Sequence, residues 1–178
     1  MNSFTREFTI SSYDLNPKGQ ARLTSMANFF QEAAYHHATK LGFGYHDMKS
    51  RKTTWVLSRM RIYMKRYPVW NEGIRLETWP SGAERLFALR DFKVMDATGE
   101  IIGMASTAWL ILDIHTHRLI RPRDMMEQFK LIVHDDQMFE DSLEKIALPG
   151  ESRVLNRHEV VYSDLDIVGH VNNVRYME

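Results

Sequence analysis

The chain has 178 residues, 44% hydrophobic and 26% charged, which suits a globular protein with room for one domain and part of another. Its 23 basic residues balance 23 acidic ones, so charge points neither to nucleic acid nor to a membrane surface as partner. The absence of Cys excludes a disulfide framework and thiolate metal sites, and fits a cytoplasmic protein.

The opening MNSFTREFTI lacks the apolar core of a signal peptide. EFTISSYDL at 7–15 reads as a strand. In RLTSMANFFQEAAYHHATKLG, Leu23, Met26, Phe30, Ala34, Ala38 and Leu41 recur at three- and four-residue intervals, which predicts one buried helical stripe of about five turns. Thr24 or Ser25 is expected to cap its start, and Gly42 to lie just past its end. From Thr53 the period falls to two. Met60, Ile62 and Met64 alternate with Arg59, Arg61 and Lys65, and IRLETWP alternates again. RLFALRDFKVMDATGEIIGMASTAWLILDI predicts two long strands joined at DATG. Its charge-free run from Ile101 to Leu112 is too short to span a bilayer. HTHRLIRP predicts a turn and a short strand. Residues 122–150 carry no clean period and read as a linker with at most one short helix, and 153–165 predicts another strand. A long helix and several antiparallel strands make an α+β fold in which the helix covers the apolar face of the sheet.

Shifting the chain by 150 residues lays YDLNPKG (13–19) over SDLDIVG (163–169), with Asp14 on Asp164, Leu15 on Leu165, Asn16 on Asp166 and Gly19 on Gly169. Both copies follow a predicted strand and precede a predicted helix, so residues 153–178 read as the opening of a second copy of the first domain. A helix beginning near Gly169 would offer backbone N–H groups to a developing oxyanion, and Gly169 would let a carbonyl approach closely. The plainer reading is a turn plus a cap, with Asn172 or Asn173 satisfying backbone donors.

SDLDIVGHVNNVRY resembles the start of the second hotdog domain of acyl-carrier-protein thioesterases. WVLSRMRIYMKRYPVWNEGIRLETWPSG and STAWLILDIHTHRLIRP resemble stretches of their first hotdog domain. The resemblance runs in order through most of residues 5–178. It implies a hotdog fold in each half, a sheet wrapped around a long central helix, with an acyl tunnel and the machinery largely in the second half. The implied organisation is a first domain at 1–130, a linker at 131–152, and a second domain at 153–178 that is begun but incomplete. Asp166 falls on the family's active-site Asp and His170 on its active-site His, while Val168 stands where the plant pattern has Asn. The remaining Cys or Glu of the site would lie beyond Glu178.

The activity implied is hydrolysis of fatty acyl thioesters of acyl carrier protein in fatty acid biosynthesis. Asp166 would position or deprotonate water, or attack directly, and His170 would relay the proton or hold the substrate. Gly169 and Asn172 would position the substrate and its oxyanion. No metal or organic cofactor is implied, and the partner is acyl carrier protein bearing an acyl chain. Self-association into a homo-oligomer is expected, because a first half alone exposes the surface its partner half would cover. The alternatives are a single-hotdog acyl-CoA thioesterase and a non-catalytic acyl-binding hotdog module. In the first copy Asn16 and Gln20 replace Asp166 and His170, which fits a half that binds the chain without reacting. His36–His37 and the pair His115, His117 are poor metal candidates, since helix neighbours point apart and the turn pair lacks a third ligand. Met26, Phe29 and Phe30 read as core first and tunnel wall second. Arg59, Arg61, Lys65 and Arg66 read as a solvated strand face that could also dock an acidic carrier.

Overall fold

Met26, Phe30, Ala33, Ala34 and His37 share one face of α1 (Leu23–Lys40) in the computed structural model, which describes residues 3–124, 138–139, 143–147 and 150–177. Phe30 is fully buried, worth about 1.5–3 kcal/mol against leaving it in water. The three small residues Ala27, Ala33 and Ala34 are buried beside it and let the helix approach the sheet closely. Leu23 departs from the predicted stripe and is exposed, while Ala38 and Leu41 pack on a second cluster around Phe43, Met48 and Ile111.

The ends of α1 are set differently from expectation at one side only. Its N-cap is Arg22, which makes no side-chain cap, and the Ser25 hydroxyl donates instead to the Asp14 carbonyl at 3.1 Å. At the other end Gly42 (φ +77°) reverses the chain, so that Phe43 N–H reaches Ala38 O at 2.8 Å and Gly42 N–H reaches Thr39 O at 3.1 Å. That pair of bonds closes the helix in the manner the glycine predicts. A second helix, α2 (Tyr45–Ser50), follows at once, its first N–H groups met by Asp47, whose Oδ2 accepts from Gly44 N at 2.9 Å.

Among the described residues six strands form one antiparallel sheet: β1 (Phe4–Thr9), β2 (Thr53–Met64), β3 (Gly73–Glu84), β4 (Phe87–Asp96), β5 (Ile101–Asp113) and β6 (Leu119–Ile120), in the order β1-β3-β4-β5-β2 with β6 on β5. The strand expected at 7–15 is shorter and earlier. Past Thr9 the chain turns into a 3₁₀ turn at Ser12–Asp14. Pro80 is tolerated within β3 because β1 pairs only as far as Thr78 and a bulge follows Pro80. The predicted DATG turn is closed by Asp96, whose Oδ1 accepts from Thr98 N and Glu100 N, with Gly99 at φ +87°.

One face of the sheet packs on α1 through Ile74, Leu76, Phe92, Val94, Ile102 and Ala105. This long helix against an antiparallel sheet is the hotdog fold. Met26 and Phe30 belong to that core. The opposite face carries the row Arg61, Ser106, Asp91 and Trp79 in register across four strands. The Asp91 carboxylate accepts from the Ser106 hydroxyl at 2.5 Å and from Met138 N–H at 3.0 Å. The Arg59 guanidinium lies over Phe87 and donates to Leu143 O, and that of Arg61 lies over Phe139. Arg66 pairs with Glu72 and Asp96, both at 2.8 Å. These arginines are therefore engaged, and the expected solvated basic face is partly covered by the described part of the segment read as a linker.

Residues 153–161 are exposed and pair with no strand among the described residues. The strand pattern there is real, but a strand exists only by its ladder. The rest of the expected linker, 125–137, 140–142 and 148–149, lies outside the described residues.

Candidate functional site

The loop from Tyr162 to Asn172 repeats the loop from Ser12 to Arg22 bond for bond. Each begins with a 3₁₀ turn, Ser12–Asp14 and Tyr162–Asp164, whose last Asp is buried. Asp14 Oδ2 accepts from Ser11 N and Asp164 Oδ2 from Val161 N, each at 2.9 Å. Leu15 bridges Ala21 as Leu165 bridges Val171. Asn16 Oδ1 accepts from Lys18 N and Gln20 N at 2.9 and 3.3 Å, and Asp166 Oδ1 accepts from Val168 N and His170 N at 2.9 and 3.0 Å. Gly19 and Gly169 both take left-handed φ, +74° and +86°, the conformation glycine adopts without steric cost. An arginine ties back to the same carbonyl in both, Arg22 to Tyr13 and Arg175 to Ser163. The offset of 150 read from sequence is thus a repeat of structure.

At Leu23 the first copy enters the 18-residue α1, and at the equivalent Asn173 the second enters a 3₁₀ turn, Asn173–Met177. Among the described residues the chain therefore takes 3₁₀ and not α geometry where the sequence predicts a helix. The Gly169 N–H is spent on Asp166 O at 3.0 Å, which removes it as an oxyanion donor. Asn172 does the capping: its Oδ1 accepts from Val174 N at 3.1 Å and, more weakly, from Gln31 Nε2 at 3.4 Å.

This second loop docks on α1. Gln31 receives the Asn173 side-chain amide at 3.1 Å as well as donating to Asn172. The contact closes one side of a cavity of about 1050 Å³ lined by both parts of the chain. Asp166, His170, Asn172 and Val168 line it from the second loop, and Phe29, Gln31, Ala34 and Ala38 from α1. Trp55, Ile111, Met48 and Leu41 form apolar wall. Gly169 is not among the lining residues, and none of residues 13–22 is.

Of the four residues expected at the site, three therefore share the cavity. The Asp166 Oδ1 is pinned by two backbone donors, while its Oδ2 and the His170 imidazole make no hydrogen bond among the described residues. Asp164, one turn away, is buried and held below the ordinary carboxylate range by the Val161 N–H first and by His158 at 2.7 Å second, with Arg175 at 3.3 Å adding to it. It anchors the loop and does not reach the cavity. Gln31 and Arg90, which sequence reasoning passed over, line the cavity as well. The available signal was polarity out of place, Gln31 beside the apolar stripe and Arg90 two residues before the core residue Phe92. Among the described residues no three His, Asp or Glu side chains converge to hold a metal ion.

The family model described as Acyl-ACP thioesterase N-terminal domain matches residues 1–129, and that described as Acyl-ACP thioesterase C-terminal domain matches residues 149–178. The chain is 30% identical over 186 residues to the chloroplastic palmitoyl-acyl carrier protein thioesterase of Gossypium hirsutum, covering 98% of this chain and 45% of that protein. It is 29% identical over 192 residues to the chloroplastic oleoyl-acyl carrier protein thioesterase 2 of Arabidopsis thaliana, covering 98% and 52%. The chain thus spans about half the length of the curated relatives it matches. Among solved structures, the 12:0-ACP thioesterase from Umbellularia californica superposes with a TM-score of 0.84 at 28% identity, over 98% of this chain and 72% of that one. An acyl-ACP thioesterase from Bacteroides thetaiotaomicron gives 0.71 at 28% identity, over 98% and 70%.

Proposed function

The chain belongs to the acyl-ACP thioesterase family, and from that membership we propose that it serves hydrolysis of fatty acyl thioesters of acyl carrier protein, releasing free fatty acid. The observation that carries this reading is the meeting of Asp166 and His170 in a largely apolar cavity that α1 shares with the second loop. Asp166 is held by its Oδ1 and keeps Oδ2 for chemistry. In the proposed step Oδ2 takes a proton from water as the water oxygen attacks the thioester carbonyl carbon. The C–S bond then breaks, and His170 relays the proton taken by Asp166 to the leaving thiolate. With Gly169 N–H engaged, the oxyanion donor is the side-chain Nδ2 of Asn172, since its Oδ1 already accepts from two partners. Val168, where the plant pattern has Asn, contributes only apolar wall.

The domain limits stay as read from sequence, 1–130, 131–152 and 153–178. The carrier protein is the proposed partner, with docking that weakens as salt rises. Self-association is supported by the exposed apolar side chains Val154, Leu155, Val160, Val161 and Ile167, and sedimentation reads it directly. No helix among the described residues is long and apolar enough to cross a membrane. A cytoplasmic setting rests on the lack of Cys, while the plant relatives are chloroplastic by name; fractionation decides between compartments.

Because the chain has no Cys, a chromogenic thiol reagent reports only thiol released from the carrier. Thiol release from dodecanoyl carrier protein that falls at least a hundredfold in Asp166→Ala, with unchanged circular dichroism, supports the mechanism. Near-normal turnover in that variant refutes both roles given to Asp166.

A further inference from the structure

Arg90 lies on the helix-facing side of β4 and lines the cavity. Its Nη1 bonds to His37 Nδ1 at 3.0 Å and to Thr78 Oγ1 at 3.1 Å. Thr78 Oγ1 in turn donates to Asp91 O at 2.9 Å, so it meets Arg90 as an acceptor. Both Nη1 hydrogens are therefore committed to neutral groups. The Nε–Nη2 edge makes no hydrogen bond among the described residues, and neither atom is a sealed one. That edge is the planar fork that matches a carboxylate with two parallel N–H bonds.

No carboxylate of the protein answers it among the described residues. Glu32 is held by Arg6 and His36, each at 2.9 Å, and Asp113 Oδ1 by the N–H groups of His115 and Thr116 in its own turn. Asp166 Oδ1 is spent on its own loop. Burial pushes the Arg90 guanidinium down to about 10, so at neutral pH it still carries its charge. A desolvated cation facing only neutral partners is costly, and an anion supplied by a ligand relieves that cost.

We propose that the Nε–Nη2 edge of Arg90 is a carboxylate-binding point inside the cavity. Its place along α1 fits this. His37, which touches Arg90, is six residues past Gln31, which touches Asn172 and Asn173, a separation of roughly 9 Å at 1.5 Å per residue. Leu41, Phe43 and Trp55 give the same cavity apolar wall. Two sources present the same chemistry: the head carboxylate of a free fatty acid whose tail runs toward Trp55, and the far carboxylate of a dicarboxylic acyl group whose thioester lies at Asp166. The inference rests on the reading of the cavity as an acyl site.

Trp55 and Trp109 line the cavity, so intrinsic fluorescence reports its filling. Titration of the chain with dodecanoate and with dodecan-1-ol is expected to show at least tenfold tighter binding of the acid. That preference vanishes in Arg90→Gln, where binding of the alcohol is unchanged, and is weakened in Arg90→Lys, which keeps the charge and loses the fork. Equal affinity for acid and alcohol in the unmodified chain overturns the proposal, as does a preference that survives Arg90→Gln. The unmodified chain alone decides if the variants do not fold. A lower KM for an ω-carboxy thioester than for the plain acyl thioester assigns the dicarboxylic source, and tighter dodecanoate binding without it assigns the fatty-acid head. Binding of neither ligand removes the reading of the cavity as an acyl site and the proposal with it, whereas equal binding of both removes the proposal alone.

Discussion

Cutting the Gln31 side chain back to Ala detaches the second loop from α1 without touching the hydrophobic core. Two bonds are lost: Asn173 Nδ2 to Gln31 Oε1 at 3.1 Å, and Gln31 Nε2 to Asn172 Oδ1 at 3.4 Å. A partly buried amide bond of good length contributes about 1 kcal/mol net and the longer one about half that, so Gln31→Ala should cost the docked loop about 1.5 kcal/mol. That is roughly a tenfold rise in loop opening. Hydrogen exchange reads it at Asn172 N–H, bonded to Asp164 O, and at Val174 N–H, bonded to Asn172 Oδ1. Both amides should exchange about ten times faster, while amides of β4 and β5 keep their rates. The cycle with Asn173→Ala isolates the 3.1 Å bond, with a coupling of about 1 kcal/mol expected. If the two substitutions add to within about 0.3 kcal/mol, the contact is incidental and the docking argument fails. If it holds, kcat/KM for the proposed hydrolysis falls with loop opening.

Three further outcomes are expected. Gly44→Ala should cost about 1–3 kcal/mol, because the new Cβ would stand 2.9 Å from the Thr39 Cα, a backbone atom that cannot swing away; thermal unfolding measures it. Phe30→Ala should lower stability by about 3–5 kcal/mol through the cavity left against Phe92, whose ring centroid is 5.1 Å away, read as a shift of the urea midpoint. Asp96, held down to about 2 from 3.8 by the Thr98 hydroxyl and then Arg66, stabilises the fold when ionised. The advantage of the unmodified chain over Asp96→Ala should therefore be full above about pH 5 and fade as pH falls from 3.8 to about 2. An advantage that persists at pH 2 contradicts the assignment.

The elements that sequence made visible are those whose period is set by a single buried face. The stripe through Met26, Phe30 and Ala34 marked α1, and the alternation of Met60, Ile62 and Met64 marked β2, because each meets one continuous wall. At α2 six residues are too few for a period to stand out. Ser25 has the chemistry of a cap, yet the chain folds back to bring the Asp14 carbonyl within its reach, a tertiary choice that no local pattern records. Residues 153–161 alternate like a strand, but alternation specifies faces and not the neighbour that makes a ladder. The Asp166 and His170 pair was legible through likeness and through the 150-residue offset. Arg90 was hidden, since an arginine in a strand looks solvated until the register with Phe92 turns it inward.

The twin loops amount to an internal blank. One coil of backbone is wound twice with the same knots, and the cargo differs: amides at 16 and 20, an acid and an imidazole at 166 and 170. Swapping the cargo in either direction should leave the winding intact, because the knots are tied by main-chain groups and by a side-chain oxygen that Asn and Asp both possess. Under the proposed mechanism the first loop is a standard of the same winding without the acid and the imidazole, against which those two groups can be weighed within one molecule.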